Sequence, residues 1–122
     1  MVINSDLDSR SNLQNMLSAS GVQNVAIGAT GNMAMRIIEE KVPDVLIYDC
    51  NVRDPYWRDM RQWLRESKGP IGAPAFVVTS VTPIQKEYEE VNSVGIRAFL
   101  PGLFHRRKLF QAVIMAIEER GN

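Results

Sequence analysis

Five short apolar runs, each followed by an amphipathic stretch, constrain this chain more than any other feature. The runs are Met1–Ile3, Val22–Ile27, Val45–Tyr48, Phe76–Val78 and Ile96–Leu100. Their length and their β-branched residues suit strands. At 45–48 and 76–78 every position is apolar, a pattern that fits a parallel sheet covered on both faces. Between the runs, apolar residues recur at offsets of three and four. Leu13, Met16 and Leu17 mark a first helix stopped by Gly21, and Ala34, Ile37 and Ile38 a second that ends before Pro43. Trp57, Met60 and Leu64 mark a third. Thr82 as cap, Pro83 at the first helical position and Gln85 as the third residue of a capping box start a fourth, with Ile84, Tyr88 and Val91 inward and Gly95 after it. Leu109, Ala112, Val113, Ala116 and Ile117 mark the fifth. Such alternation predicts an α/β fold: a parallel sheet with right-handed crossovers, sandwiched by five helices. The segment Ser67–Pro74, with two Gly and two Pro, reads as a surface loop.

At 122 residues there is room for one domain. Hydrophobic residues at 45% and charged residues at 23% describe a globular chain rather than a disordered one. Fourteen basic residues balance 14 acidic ones, so the basic excess of a nucleic-acid binder is missing. Cys50 stands alone and forms no internal disulfide; after an apolar strand it reads as a buried small hydrophobe. No apolar run approaches the ~20 residues of a membrane span, and the N-terminal residues lack a signal-peptide pattern. The expected location is the cytoplasm, with no membrane partner.

In open α/β sheets, ligands bind where strands end, near the switch in strand order. The residues there are Asn4-Ser5-Asp6 after the first strand, Asp49 after the third, Thr79-Ser80 after the fourth and Pro101-Gly102 after the fifth. Three strand ends therefore carry oxygen-bearing side chains.

In that order, Val45-Leu46-Ile47-Tyr48-Asp49, Phe76-Val77-Val78-Thr79-Ser80 and Gly95-Ile96-Arg97-Ala98-Phe99-Leu100 resemble the receiver domain of two-component response regulators. Phe104, Leu109, Ala112 and Val113 are similar to that family's last helix. The resemblance covers the chain as one receiver domain, residues 1–122, and implies a flavodoxin-like sheet of strand order 2-1-3-4-5. It implies Asp49 as phospho-acceptor, Thr79 as the hydroxyl on the phosphoryl group, Phe99 as the switch aromatic and Asn51 as a backbone ligand to the metal. The family's acidic pair falls on Asn4 and Ser5, with Asp6 as its neighbour, and its lysine falls on Gly102. Phosphoryl transfer to a carboxylate depends on metal and cationic stabilisation, and Mg²⁺ favours carboxylate oxygen over amide or hydroxyl. At most a weak Mg²⁺ site on Asp6, Asp49 and Asn51 is implied.

The resulting expectation is a degenerate receiver in a two-component or phosphorelay setting, not itself an enzyme. Its expected partner is a histidine kinase or another signalling protein, and a homodimer through the fourth and fifth helices is open. No output segment is recognised, which leaves a stand-alone regulator or a piece of a longer protein. Arg53 is expected to pair with Asp49. Arg106-Arg107-Lys108 reads as a solvated helix face, and the lone His105 lacks a second metal ligand. Of Tyr56, Trp57 and Trp63, at least one tryptophan should pack on the sheet. A competing reading takes Gly28-Ala29-Thr30-Gly31, with Asp49 about twenty residues on, as the NAD(P)-binding turn of a short-chain-dehydrogenase-like fragment. A whole strand-helix unit precedes that turn, and too few strands follow it.

Overall fold

The computed structural model describes residues 1–120; Gly121 and Asn122 of the expected domain lie outside the described residues. The chain runs β1 (Val2–Ile3), α1 (Leu7–Ala19), β2 (Ile27–Gly28), α2 (Gly31–Glu40), β3 (Val45–Asp49), α3 (Trp57–Gly72), β4 (Ala75–Ser80), α4 (Gln85–Ser93), β5 (Phe99–Pro101) and α5 (Arg106–Glu119). All pairings are parallel and the order is β2-β1-β3-β4-β5, a flavodoxin-like α/β arrangement as expected. From β1 the chain steps one way to β2 and afterwards the other way. Right-handed crossovers therefore place α1 on one face and α2, α3 and α4 on the opposite face. The connections leaving β1 and β3 diverge between two neighbouring strands, and this opens a crevice at their carboxyl ends.

The central pair β3 and β4 carries the core. Val45 pairs with Ala75 and the register continues to Asp49 beside Thr79, so these two side chains share a face. Leu46, Tyr48, Val77 and Val78 are fully buried. Trp57, Met60 and Leu64, at most 1% exposed, form the inner stripe of α3 as the spacing predicts. Burial of Met60 and Leu64 stabilises the fold by about 1.5–3 kcal/mol each. Trp63 is half-buried against the same core.

Several local expectations differ from the structure. The second strand is confined to Ile27–Gly28 rather than Val22–Ile27, because its one partner, β1, is only two residues long. The fifth begins at Phe99, not Ile96: the Ile96 N–H bonds back to Val91 and closes the end of α4. Ser67–Pro74 is largely helical, since α3 continues to Gly72 across a break at Gly69, whose φ of 78° a glycine adopts freely. Helix α4 starts at Gln85 with Ile84 as cap, two residues after the expected cap. Its inward residues are Glu87 and Val91, whereas Ile84 and Tyr88 are exposed. In α5, Leu109, Ala112 and Ala116 face inward and Ile117 is half exposed.

Candidate functional site

Asp49 and Thr79 end adjacent strands, and the structure brings them into contact. Thr79 Oγ1 donates to Asp49 Oδ1 at 2.5 Å, and the Asn51 backbone N–H donates to Asp49 Oδ2 at 2.9 Å. Both side chains are buried, each 3% exposed. Burial, ahead of every other cause, pushes the Asp49 carboxyl above its usual range. The bonds from Thr79 and Asn51 pull it back, while the charges of Glu87 and Asp6 push it further up. No cationic side chain among the described residues forms an ion pair with it; the ion pairs found join Arg97 to Glu118 and Glu119. Arg53, the expected partner, places its guanidinium over the Tyr56 ring, 4.9 Å from the centroid. That attraction needs no desolvated charge pair.

Where the resemblance implies an acidic pair, a web of amides ties the loop after β1 to the turn after β3. Asn51 Nδ2 donates to Asn4 Oδ1 at 2.9 Å, and the Asp6 N–H donates to the same oxygen at 3.0 Å. The Ser5 N–H donates to Asn51 Oδ1 at 3.2 Å. Arg10 Nη1 donates to the Asn4 carbonyl at 2.9 Å. Asn4 is 1% exposed, so both lone-pair directions of its amide oxygen are used inside the protein. Asp6 is exposed; its Oδ2 caps α1 by accepting from the Ser9 N–H at 2.9 Å. Helix capping and a nearby cation hold its carboxyl below the usual range, with the Ser9 bonds as the main cause.

These residues do not fit Mg²⁺, which takes near-octahedral oxygen ligands with one or two carboxylates among them. Asp49 is the one carboxylate that lines the crevice among the described residues, Asn4 Oδ1 already accepts two hydrogen bonds, and Asp6 serves the helix. Among the described residues no group of three His, Cys, Asp or Glu side chains converges on a metal position.

A second buried carboxylate, Glu87, was missed by the sequence reading. It is 9% exposed, and its Oε1 accepts from Ser80 Oγ at 2.8 Å and from the Ile84 N–H at 3.1 Å. Consecutive hydroxyls at the end of β4 thus each hold a carboxylate, Thr79 to Asp49 and Ser80 to Glu87. The signal was present in the sequence as an acid three residues after the true cap. Cys50 is buried as expected, and burial, followed by the charges of Glu87 and Asp49, pushes its thiol well above the ordinary range.

Phe99 is half-buried and meets Tyr88 edge-on, ring centroids 5.4 Å apart. Gly102 has φ 72° and donates its N–H to the Ser80 carbonyl at 2.7 Å. A Cβ there would meet nothing within 4 Å, so this edge of the site is open space. Beside Asp49 lies a cavity of about 80 Å³. Its polar floor is Asn4, Asp49, Thr79 and Ser80; Leu13, Met16, Val81, Leu103 and Phe104 supply apolar wall. His105, Arg106, Arg107 and Lys108 are exposed at the start of α5 and do not line this cavity.

The Gly28–Gly31 turn joins β2 to α2 at the sheet edge. Thr30 caps α2 by accepting from the Met33 N–H at 3.2 Å. At Gly31 an added Cβ would lie 2.5 Å from the Asp54 carbonyl oxygen and closer still to Pro55, so the chain itself packs against the turn. No helix is long and apolar enough to cross a membrane among the described residues. No protein-family model matches the chain, and no curated protein matches it.

Proposed function

We propose that this chain is a receiver-type signalling module that acts mainly through protein–protein contact, with phosphorylation of Asp49 weak or absent. The observation that carries this reading is the Asp49–Thr79 pair beside the switch crevice of a 2-1-3-4-5 parallel sheet. An acceptor carboxylate and a hydroxyl stand where the receiver resemblance requires them, while the metal and cationic partners of phosphoryl transfer are replaced by Asn4, Ser5 and Gly102. A carboxylate without those charges faces an anionic donor unassisted. In this reading the chain is not itself an enzyme, works in the cytoplasm of a two-component or phosphorelay system, and meets a histidine kinase or another signalling protein. Ile84 at the cap of α4, Tyr88 on α4, and Ile114 and Ile117 on α5 leave apolar surface exposed, which supports contact or self-association through those helices.

The glycine turn is disfavoured as a dinucleotide site, because Pro55 and Asp54 crowd the backbone that a pyrophosphate would have to approach.

Incubation with a small phosphodonor and Mg²⁺, followed by intact-mass measurement, tests the degenerate part of the reading. The expected result is no stoichiometric gain. A gain of one phosphoryl group that disappears in Asp49→Ala would make the chain an ordinary phospho-receiver. Fluorescence titration with NADPH tests the class: micromolar binding would remove the signalling reading altogether.

A further inference from the structure

The cavity beside Asp49 combines a buried carboxylate on its floor with hydrocarbon on part of its wall. Its floor holds a carboxylate that is 3% exposed and has only neutral donors, Thr79 Oγ1 and the Asn51 N–H. A carboxylate offers about four acceptor directions, so about two remain for a further donor. Leu13 and Met16 of α1 and Leu103 and Phe104 of the β5–α5 connection give the cavity hydrocarbon wall, with Ser9 and Asn12 of α1 as polar lining beside them. Leu103 is 92% exposed at the rim, a large apolar side chain with little of its own fold to cover it. Gly102 contributes no side chain to narrow the mouth.

An anion would meet the charges of Asp49, Glu87 and Asp6. A hydrated divalent ion would meet hydrocarbon on one side and amide oxygens already bonded on the other. An organic cation with a short alkyl tail satisfies both halves. At roughly 10–15 Å³ for each water-sized group, a cavity of about 80 Å³ accepts about five to eight heavy atoms.

We propose that this cavity is a binding site for a small primary alkylammonium, its head on the Asp49 carboxylate and its tail along Leu13, Met16 and Phe104. The site requires no phosphoryl transfer and stands apart from the receiver reading. Binding adds a charge-assisted bond to a buried carboxylate and covers the Leu103 rim.

The test is an amide ¹H–¹⁵N NMR titration of the full chain with n-pentylammonium chloride, n-pentanol and magnesium chloride in separate arms. The expected result is a saturable shift of the Asn51, Leu13 and Leu103 amides with the ammonium. The alcohol, which lacks the charge, should bind at least about ten-fold more weakly. Asp49→Asn should weaken the ammonium by about ten-fold or more. Asn12→Trp, at an exposed position on the cavity lining, should block entry without disturbing the core; it carries the test if Asp49→Asn does not fold. Absence of a saturable shift with the ammonium overturns the proposal. So does equal binding of the alcohol, binding indifferent to Asn12→Trp, or displacement of the ammonium by Mg²⁺ at the same amides.

Discussion

Replacing Thr79 with valine removes one hydroxyl and keeps the branched shape, so it isolates the bond to Asp49. Thr79 Oγ1 stands 2.5 Å from Asp49 Oδ1, and both residues are 3% exposed, so the bond is largely shielded from solvent. A hydrogen bond to a charged acceptor contributes about 1.5–3 kcal/mol, and the Asn51 N–H on the other oxygen remains. Thr79→Val should therefore destabilise the protein by about 2 kcal/mol at neutral pH. With a urea m-value of about 2 kcal/mol/M, the unfolding midpoint falls by about 1 M.

The pH dependence has a definite sign. Asp49's own folded value is raised, chiefly by burial, so its contribution to stability is full below the ordinary carboxylate range and is lost as pH rises through the folded value. The Thr79 bond opposes that rise and favours the ionised form. Its share of stability is therefore present at neutral pH and is lost as pH falls and Asp49 protonates. Urea unfolding of wild type and Thr79→Val, at pH about 7 and about 3.5, should show a gap that shrinks at the acidic end. In an Asp49→Ala background the same substitution should cost less than about 0.5 kcal/mol. A gap equal at both pH values, or unchanged in the Asp49→Ala background, would refute the assignment of the bond to an ionised carboxylate.

Other substitutions probe the surrounding parts. Gly31→Ala drives a Cβ into Pro55 and the Asp54 carbonyl and should cost about 1–3 kcal/mol, read by thermal unfolding; a neutral result would mean that the loop does not pack on α2 as described. Glu87→Ala strips the partner from Ser80 Oγ and the Ile84 N–H. It should cost about 1–3 kcal/mol, with faster hydrogen exchange across the first turn of α4. Cys50, buried and with its thiol pushed upward, should resist alkylation in the native state and react on unfolding; rapid native labelling would contradict its burial. Asn4→Asp adds a second carboxylate beside Asn51. At an affinity of about 1 mM, roughly 10 mM Mg²⁺ would then stabilise the variant by about 1.4 kcal/mol, with no comparable gain in wild type.

The central strands were legible because apolarity at every position of Val45–Tyr48 and Phe76–Val78 states burial on both faces; the strand order came from the receiver resemblance alone. The stripe Trp57, Met60 and Leu64 was legible for a similar reason, since three- and four-residue spacing defines one helix face. Edges were less legible. Val22 to Ala26 include polar Gln23 and Asn24, Asn24 takes a left-handed φ of 56°, and β1 offers only two residues to pair with. Thr82 and Pro83 carry stronger cap propensity than Ile84, but the bond from Ser80 to Glu87 fixes the start of α4 from outside the helix.

Asp49 and Thr79 were named as site residues from their positions at strand ends, and their contact follows from a parallel register that pairs them directly. The Asn4–Asn51 bridge joins residues 47 apart in the chain, and nothing local announces it. Arg53 illustrates the opposite failure. Charge proximity in sequence suggested a partner for Asp49, but the Tyr56 ring takes the guanidinium at no cost in buried charge.

At Asp49 a divalent ion would find a single carboxylate, because the second ligand position is the amide of Asn4, whose oxygen is already bonded twice. Titrating Mg²⁺ into protein labelled at the aspartate carboxyl carbons and backbone nitrogens measures this directly. Resonances of the Asp49 carboxyl and of the Ser5 and Asn51 amides should stay in place through about 20 mM, twenty-fold above the millimolar range of weak carboxylate sites. Saturable shifts confined to those three groups would contradict the claim and return Asp49 to the chemistry of a metal-assisted acceptor.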